Sequence, residues 1–337
     1  MADSPSPRSL DLDDVRAAGA RNRPYVLETP IHRWRGPELD GRISPATEVI
    51  LKLELFQYTG TFKARGAITS VAALSPEALA RGITAVSAGN HAIAAAYAAQ
   101  RLGSSAKVVM MASANPARVE RCQAYGAQVL FRPTGAEAFA LAEEIAAAEG
   151  RSFIHPFEGP LAATGAATLG LEFSEQAGSL DAVIVPVGGG GLAGGVSWAL
   201  KQLQPDCKVY GVEPVGADSM SRSFAAGAPV TAAPVATIAD SLGPPYSLPF
   251  SFGLCQRHVD RMVLVTDDQL VDAMAVLFRE MKLAVEPAGA AATAALFGPL
   301  REELEGQRVG LIVCGANIDI DTFTAQVTRG NQLSGRV

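Results

Sequence analysis

The chain has 337 residues, 48% of them hydrophobic, with 28 Lys and Arg against 34 Asp and Glu for a formal net charge of −6. That length and apolar content suit a globular protein of two domains with a large core, and no apolar stretch is long enough for a membrane helix. Basic residues do not cluster, which argues against a nucleic-acid surface, and the four cysteines form no C-x-x-C pair, which argues against a zinc site or disulfide framework and fits a reducing cytoplasm.

In chain order, residues Met1 to Asp14 are polar and read as a frayed tail that lacks the basic start and apolar core of a secretory signal. Short β-branched runs predict buried strands at Val49–Leu53, Ile83–Val86, Lys107–Met111, Gln128–Phe131, Ala182–Val187, Lys208–Val212 and Val309–Cys314. Asn115 as N-cap with Pro116 behind it opens a helix that Gly126 stops, and further helices are expected at Ala136–Glu149, Leu192–Leu203 and Asp267–Met281. Such alternation predicts an α/β fold of parallel twisted sheets with helices on both faces, in which ligands bind beyond the carboxyl ends of the strands. Ser87–Asn90, Gly188–Gly191, Glu213 and Gly315–Asn317 all fall at those ends. Pro229–Ser251 reads as one long loop, and no internal repeat is present.

Gly188-Gly189-Gly190-Gly191 lies between an apolar strand and a helix start, where successive backbone N–H groups can cradle a phosphate that side chains would block. A plain strand–helix turn would need only one or two glycines. Gly189-x-Gly191-x-x-Gly194 followed by Glu213 also fits a dinucleotide fingerprint, the mark of an NAD-dependent oxidoreductase. That reading places the fingerprint past the middle of the chain and leaves Lys63 and Asn90 without a role.

Lys63 stands between an aromatic residue and a small-residue helix start, and a lysine desolvated there would offer a neutral amine to a carbonyl cofactor; a surface lysine is the bland alternative. Ser87-Ala88-Gly89-Asn90-His91 brings N–H groups to another helix N-terminus, suited to a carboxylate, with Asn90 able to donate to a phenolic oxygen. A simple N-cap is the alternative there. His91, on an alanine-rich helix, reads as structural rather than as a base.

Together the segments Gly60-Thr-Phe-Lys-Ala-Arg-Gly-Ala67, Ser87-Ala-Gly-Asn-His91, His155-Pro-Phe157, Pro186-Val-Gly-Gly-Gly-Gly-Leu192, Gly211-Val-Glu-Pro214, Ala239-Asp240, Lys282-Leu-Ala-Val-Glu-Pro-Ala-Gly-Ala290 and Cys314-Gly-Ala-Asn317 resemble the fold-type II (tryptophan synthase β-like) pyridoxal-phosphate enzymes. Within these, the resemblance is to the serine/threonine dehydratase and serine racemase family. It implies that Lys63 is the catalytic lysine and holds pyridoxal 5'-phosphate as a Schiff base. Phe62 would pack on the cofactor ring, Asn90 would bond its hydroxyl, and Gly188, Gly189, Gly190, Gly191 and Leu192 would bind its phosphate. Glu286 and Cys314 would complete that site, with the weak Cys314 thiol facing the ring nitrogen. Ser87, Ala88, Gly89, Asn90 and His91 would take the substrate carboxylate.

The implied reaction is β-elimination from an L-β-hydroxy amino acid such as threonine or serine, giving a 2-oxo acid and ammonia. Family racemases carry a second serine where this chain has Ala88, which disfavours racemisation. The family's Gln is Ile93 here, and its Gly-Gln-Gly is Gly165-Ala166-Ala167; both changes are expected to remove polar capacity from the cleft and to favour another substrate, phenylserine or 3-hydroxyaspartate. Glu213 and the Ala217 carbonyl match a family site for magnesium or calcium, which Ser219, standing where an aspartate is usual, weakens. The resemblance also implies a large cofactor-binding domain of residues 1–53 and 152–337, a small mobile domain of residues 54–151, a homodimer or higher homo-oligomer, and no C-terminal regulatory extension.

Overall fold

The computed structural model describes residues 10–87, 89–231, 234–244 and 246–335. Their strands are β1 (Ile31–Trp34), β2 (Glu48–Leu53), β3 (Ile83–Val86), β4 (Ala106–Met111), β5 (Gln128–Arg132), β6 (Ser152–Phe153), β7 (Ala182–Pro186), β8 (Lys208–Pro214), β9 (Arg261–Val265) and β10 (Arg308–Val313). They form a 6-stranded sheet, β1-β2-β10-β7-β8-β9, and a 4-stranded sheet, β5-β4-β3-β6. Only the β1–β2 pair is antiparallel. The seven apolar runs of the sequence are β2, β3, β4, β5, β7, β8 and β10. Strands β1, β6 and β9 carry no such run, because β1 and β9 are edges that alternate exposed and buried residues and β6 is a single two-residue pairing with β3.

Two corrections to the sequence reading concern segments without apolar periodicity. Residues 11–14 are not tail: Asp11 caps the helix Leu12–Asn22 by accepting from the N–H groups of Asp13 and Asp14, and Val15 and Ala18 are buried. Pro229–Ser251 is not one uninterrupted loop, since it contains a short turn of helix at Asp240–Leu242 and the start of the helix Pro249–His258. Among the described residues no helix is long and apolar enough to cross a membrane.

Strand order fixes where a ligand can sit. In the larger sheet the chain leaves β7 for β8 on one side, while β10 lies on the other, so the segments after β7 and β10 diverge and open a crevice. In the smaller sheet β3 is flanked by β4 and β6, and the segments after β3 and β6 diverge in the same way. These four segments are Gly188–Gly191, Cys314–Asn317, Ser87–Asn90 and His155–Phe157.

Small residues let the helices behind this crevice pack closely. A Cβ on Gly165 would lie 2.5 Å from Gly66 Cα, which brings the helix Pro160–Ala177 against the helix Lys63–Ala72. A Cβ on Gly195 would lie 2.4 Å from the Ala163 carbonyl, which brings the helix Gly191–Leu203 against the same neighbour.

A buried ionic network ties these helices to β2. Arg65 is 1% exposed; its guanidinium donates to Glu54 Oε1 and Oε2 at 2.8 Å and to Glu172 Oε1 and Oε2 at 2.9 Å. Lys52, also fully buried, donates to Glu172, to the Thr29 carbonyl and to Gln176. Removing one member of such a cluster leaves a desolvated charge without a partner. Arg65→Ala is therefore expected to destabilise the fold by about 3–5 kcal/mol, read as a lower midpoint of denaturant unfolding, whereas exposed Arg329→Ala, which removes a surface ion pair, should cost at most about 1 kcal/mol.

Candidate active site

Lys63 begins its helix directly after a short main-chain pairing. Thr61 bridges Gly315 and the Phe62 N–H donates to the Cys314 carbonyl at 3.1 Å, so the lysine is pinned to the end of β10. Its ammonium nitrogen donates to the Pro156 carbonyl at 2.6 Å, and no carboxylate among the described residues is within ion-pair distance. Burial lowers its pKa to about 8, although Cys314 and Glu286 pull the other way. Near neutral pH a useful fraction of this amine is unprotonated, as attack on a carbonyl requires.

The glycine run follows β7 and opens the helix Gly191–Leu203. The N–H groups of Gly188 through Ala193 donate to no acceptor among the described residues. Each glycine also answers a steric demand: a Cβ would meet the Phe157 ring at 2.3 Å from Gly189 and the Phe157 carbonyl at 2.5 Å from Gly191. Gly190 has φ +89, a conformation that costs an L-residue dearly. Across the crevice, Ser87 Oγ accepts from the Gly89 N–H at 3.1 Å, and the N–H groups of Asn90 and His91 have no acceptor among the described residues. Ala88 lies outside the described residues.

Between these two N-termini runs a polar network. Asn90 donates to Glu286 Oε1 at 2.6 Å and to Ser241 Oγ at 3.2 Å, and it accepts from Asn317 at 2.7 Å. Glu286 is 1% exposed and its Oε2 has no hydrogen-bond partner, although the Arg118 guanidinium stands 3.7 Å away. Burial raises its pKa to about 7, against the pull of Arg118. Cys314 is buried, its thiol pushed well above the usual range by desolvation, and Sγ donates to the Ala288 carbonyl at 3.3 Å. Unfilled N–H donors at two helix starts, an orphaned carboxyl oxygen and a neutral amine form a donor set that fits a phosphorylated carbonyl cofactor carrying a phenolic oxygen.

Phe62, Lys63, Ser87, Gly89, Asn90, His91, the glycine run, Leu192, Glu286 and Cys314 all line one cleft of about 1490 Å³. Others turn away. His91 faces the cleft, but its Nε2 pairs with the Ile154 carbonyl at 2.8 Å and burial lowers its pKa to about 3, so its ring holds the segment after β6 in place. Ile93 points into the core of the smaller sheet and is not among the lining residues, which corrects the expectation that it reshapes the cleft; only Ala166 of the replaced positions lines a cavity beside Lys63. Both Glu213 oxygens accept backbone N–H groups, from Met220 and Ser221 at 2.8 Å, so this side chain caps the helix Ser219–Ala226. Ala217 lies buried beside that cap, and the described residues contain no group of three or more His, Cys, Asp or Glu side chains arranged to hold a metal.

Several lining residues carry no motif that would mark them in sequence. Arg118 donates to the Asn317 carbonyl at 3.1 Å and pairs with Asp240 across the cleft, and Phe139, Phe157 and Tyr246 add aromatic wall. Asn115 is the one local signal, since the cap predicted there aims Arg118 from the second residue of its helix onward.

A family profile described as pyridoxal-phosphate dependent enzyme matches residues 23–315. The chain is 51% identical to a phenylserine dehydratase of Ralstonia pickettii, covering 95% of this chain and 97% of that protein. It is 37% identical to an L-threonine ammonia-lyase of Thermotoga maritima, covering 97% and 80%. The structure of maize serine racemase superimposes with a TM-score of 0.88 at 33% identity, covering 96% of this chain and 99% of that one. Because a Cβ on Gly189 has no room beside Phe157, Gly189→Ala is expected to weaken pyridoxal phosphate binding about tenfold or more, measured by titrating the apoprotein and following near-visible absorbance.

Proposed function

The chain belongs to the pyridoxal-phosphate dependent enzyme family, and from that premise we propose that it is an ammonia-lyase acting on L-β-hydroxy amino acids bulkier than serine or threonine. The net reaction removes the α-amino group and the β-hydroxyl, releasing a 2-oxo acid and ammonia. The observation that carries this reading is a buried, unpaired Lys63 set between two helix N-termini whose N–H groups lack acceptors.

Attached at Lys63, pyridoxal phosphate supplies an electron sink for the charge left at the substrate Cα. In this reading Gly188 to Leu192 hold its phosphate, Phe62 lies against its ring, and Asn90 bonds its hydroxyl. Cys314 offers a neutral S–H where a carboxylate would carry charge. The N–H groups of the 87–91 segment orient the substrate carboxylate. Lys63, once free, takes the Cα proton and has it at hand for the departing β-hydroxyl, which leaves as water. Elimination is supported over racemisation because Ala88 has no proton to give on a second face. Glu213, with both oxygens engaged, is poorly placed to bind the ribose that the dinucleotide reading requires.

The proposal extends to motion and assembly. Residues 54–151, with β6 paired to their sheet, would close on a larger unit of residues 1–53 and 152–337, and closure would exclude water from Cα. Homodimeric assembly is the ordinary expectation for such a chain, and a reducing cytoplasm accords with four free cysteines.

The cofactor-loaded protein should absorb in the near-visible and release equal amounts of 2-oxo acid and ammonia from L-threo-phenylserine. Lys63→Ala should lose the band and at least about 10²-fold in rate. A mutant that keeps both would overturn the assignment.

A further inference from the structure

We propose that Phe139, Phe157 and Tyr246 form the subsite for the substrate's β-substituent, and that this subsite takes an aromatic ring carried on Cβ. The inference rests on the lyase reading above and adds to it the class of substrate and the residues that select it.

The rings begin at the reacting lysine. Lys63 Nζ donates to the carbonyl of Pro156, the residue between His155 and Phe157, whose rings stand edge to face with centroids 4.8 Å apart. From Phe157 the row continues to Tyr246 at 6.3 Å and from Tyr246 to Phe139 at 6.4 Å, also edge to face, and Phe139 returns to His155 at 6.0 Å. These separations fall within the range in which aromatic rings attract one another, and a further ring entering the row would meet the same geometry. Phe139, Phe157 and Tyr246 line the cleft that holds Lys63, Asn90 and the glycine run. Phe139 and Tyr246 are only partly buried, so part of each ring is left open, and the Tyr246 hydroxyl bonds no described residue.

The charges of the cleft point the same way. A substituent bearing a second carboxylate would need a cation, and the arginine of this lining, Arg118, is already paired with Asp240 and stands beside Glu286. A methyl substituent would leave most of the aromatic surface uncovered. An aryl group covers it without requiring a charge partner.

The subsite draws on both sheets. Phe139 lies in the helix Gly135–Glu149 that follows β5, whereas Tyr246 comes from the segment after Asp240–Leu242 on the side of the larger sheet. Ring selection is thereby coupled to the approach of the two sides.

The test compares kcat/KM for L-threo-phenylserine and L-threonine in the loaded enzyme and in Phe139→Leu, Phe139→Ala, Tyr246→Ala and Tyr246→Phe. The expected result is that the phenylserine-to-threonine ratio falls about tenfold or more in the alanine variants and is largely restored in Tyr246→Phe, with the cofactor band unchanged. A ratio that stays level while 2-oxo acid is still released overturns the subsite and leaves the lyase reading standing. Should the wild type release no 2-oxo acid, the lyase reading fails, and calorimetry with L-phenylalanine and L-alanine, which lack a β-leaving group, then decides the subsite. Loss of the L-phenylalanine preference in the alanine variants supports it, and an equal preference in wild type and variants rejects it.

Discussion

The short main-chain pairing of Thr61 and Phe62 with Cys314 and Gly315 joins two segments more than two hundred residues apart, and the site depends on it. It sets the first residue of the helix Lys63–Ala72 at the carboxyl end of β10, where the two sides of the larger sheet part. The helix cannot then swing away, because Arg65 is held two residues on by Glu54 and Glu172 in a region without water. A buried ionic cluster of this kind contributes little net stability against an apolar replacement, but it fixes one geometry, because every alternative leaves a charge unpaired. In this protein the geometry it fixes is that of the lysine.

The cleft is polar in a particular way. Its backbone donors at two helix starts have no protein acceptors, and Glu286 keeps an unpaired buried oxygen. Leaving such groups unmet costs folding free energy, on the order of 1–3 kcal/mol each where they are out of reach of water. The rest of the network is fully connected from Asn90 through Asn317 to Arg118, so the unmet groups stand on a rigid frame. Preorganised donors of this sort favour an anionic ligand without reorganisation on binding.

Aromatic side chains make the opposite wall. They surround the reacting lysine with low-dielectric surface, which favours its neutral form and lowers the affinity of the cleft for water. The same rings that desolvate the amine are therefore positioned to read the substrate's side chain, and the two roles share a single physical cause.

Much of this could be read without coordinates. Seven of the strands are continuous apolar runs, the helix at Asn115-Pro116 carries its own cap signal, and the four glycines and Lys63 sit in local contexts with few alternative uses. These features depend on neighbours within a few residues, so the chain alone determines them. Edge strands β1 and β9 and the helix at Leu12 escaped because half-exposed segments lack that signature. Whether Ile93 faces a ligand or a core, whether Glu213 binds a cation or caps a helix, and which aromatic rings converge on Lys63 were decided only by tertiary structure. Each depends on strand order and helix rotation, which bring together residues far apart in the chain through packing that no local pattern encodes.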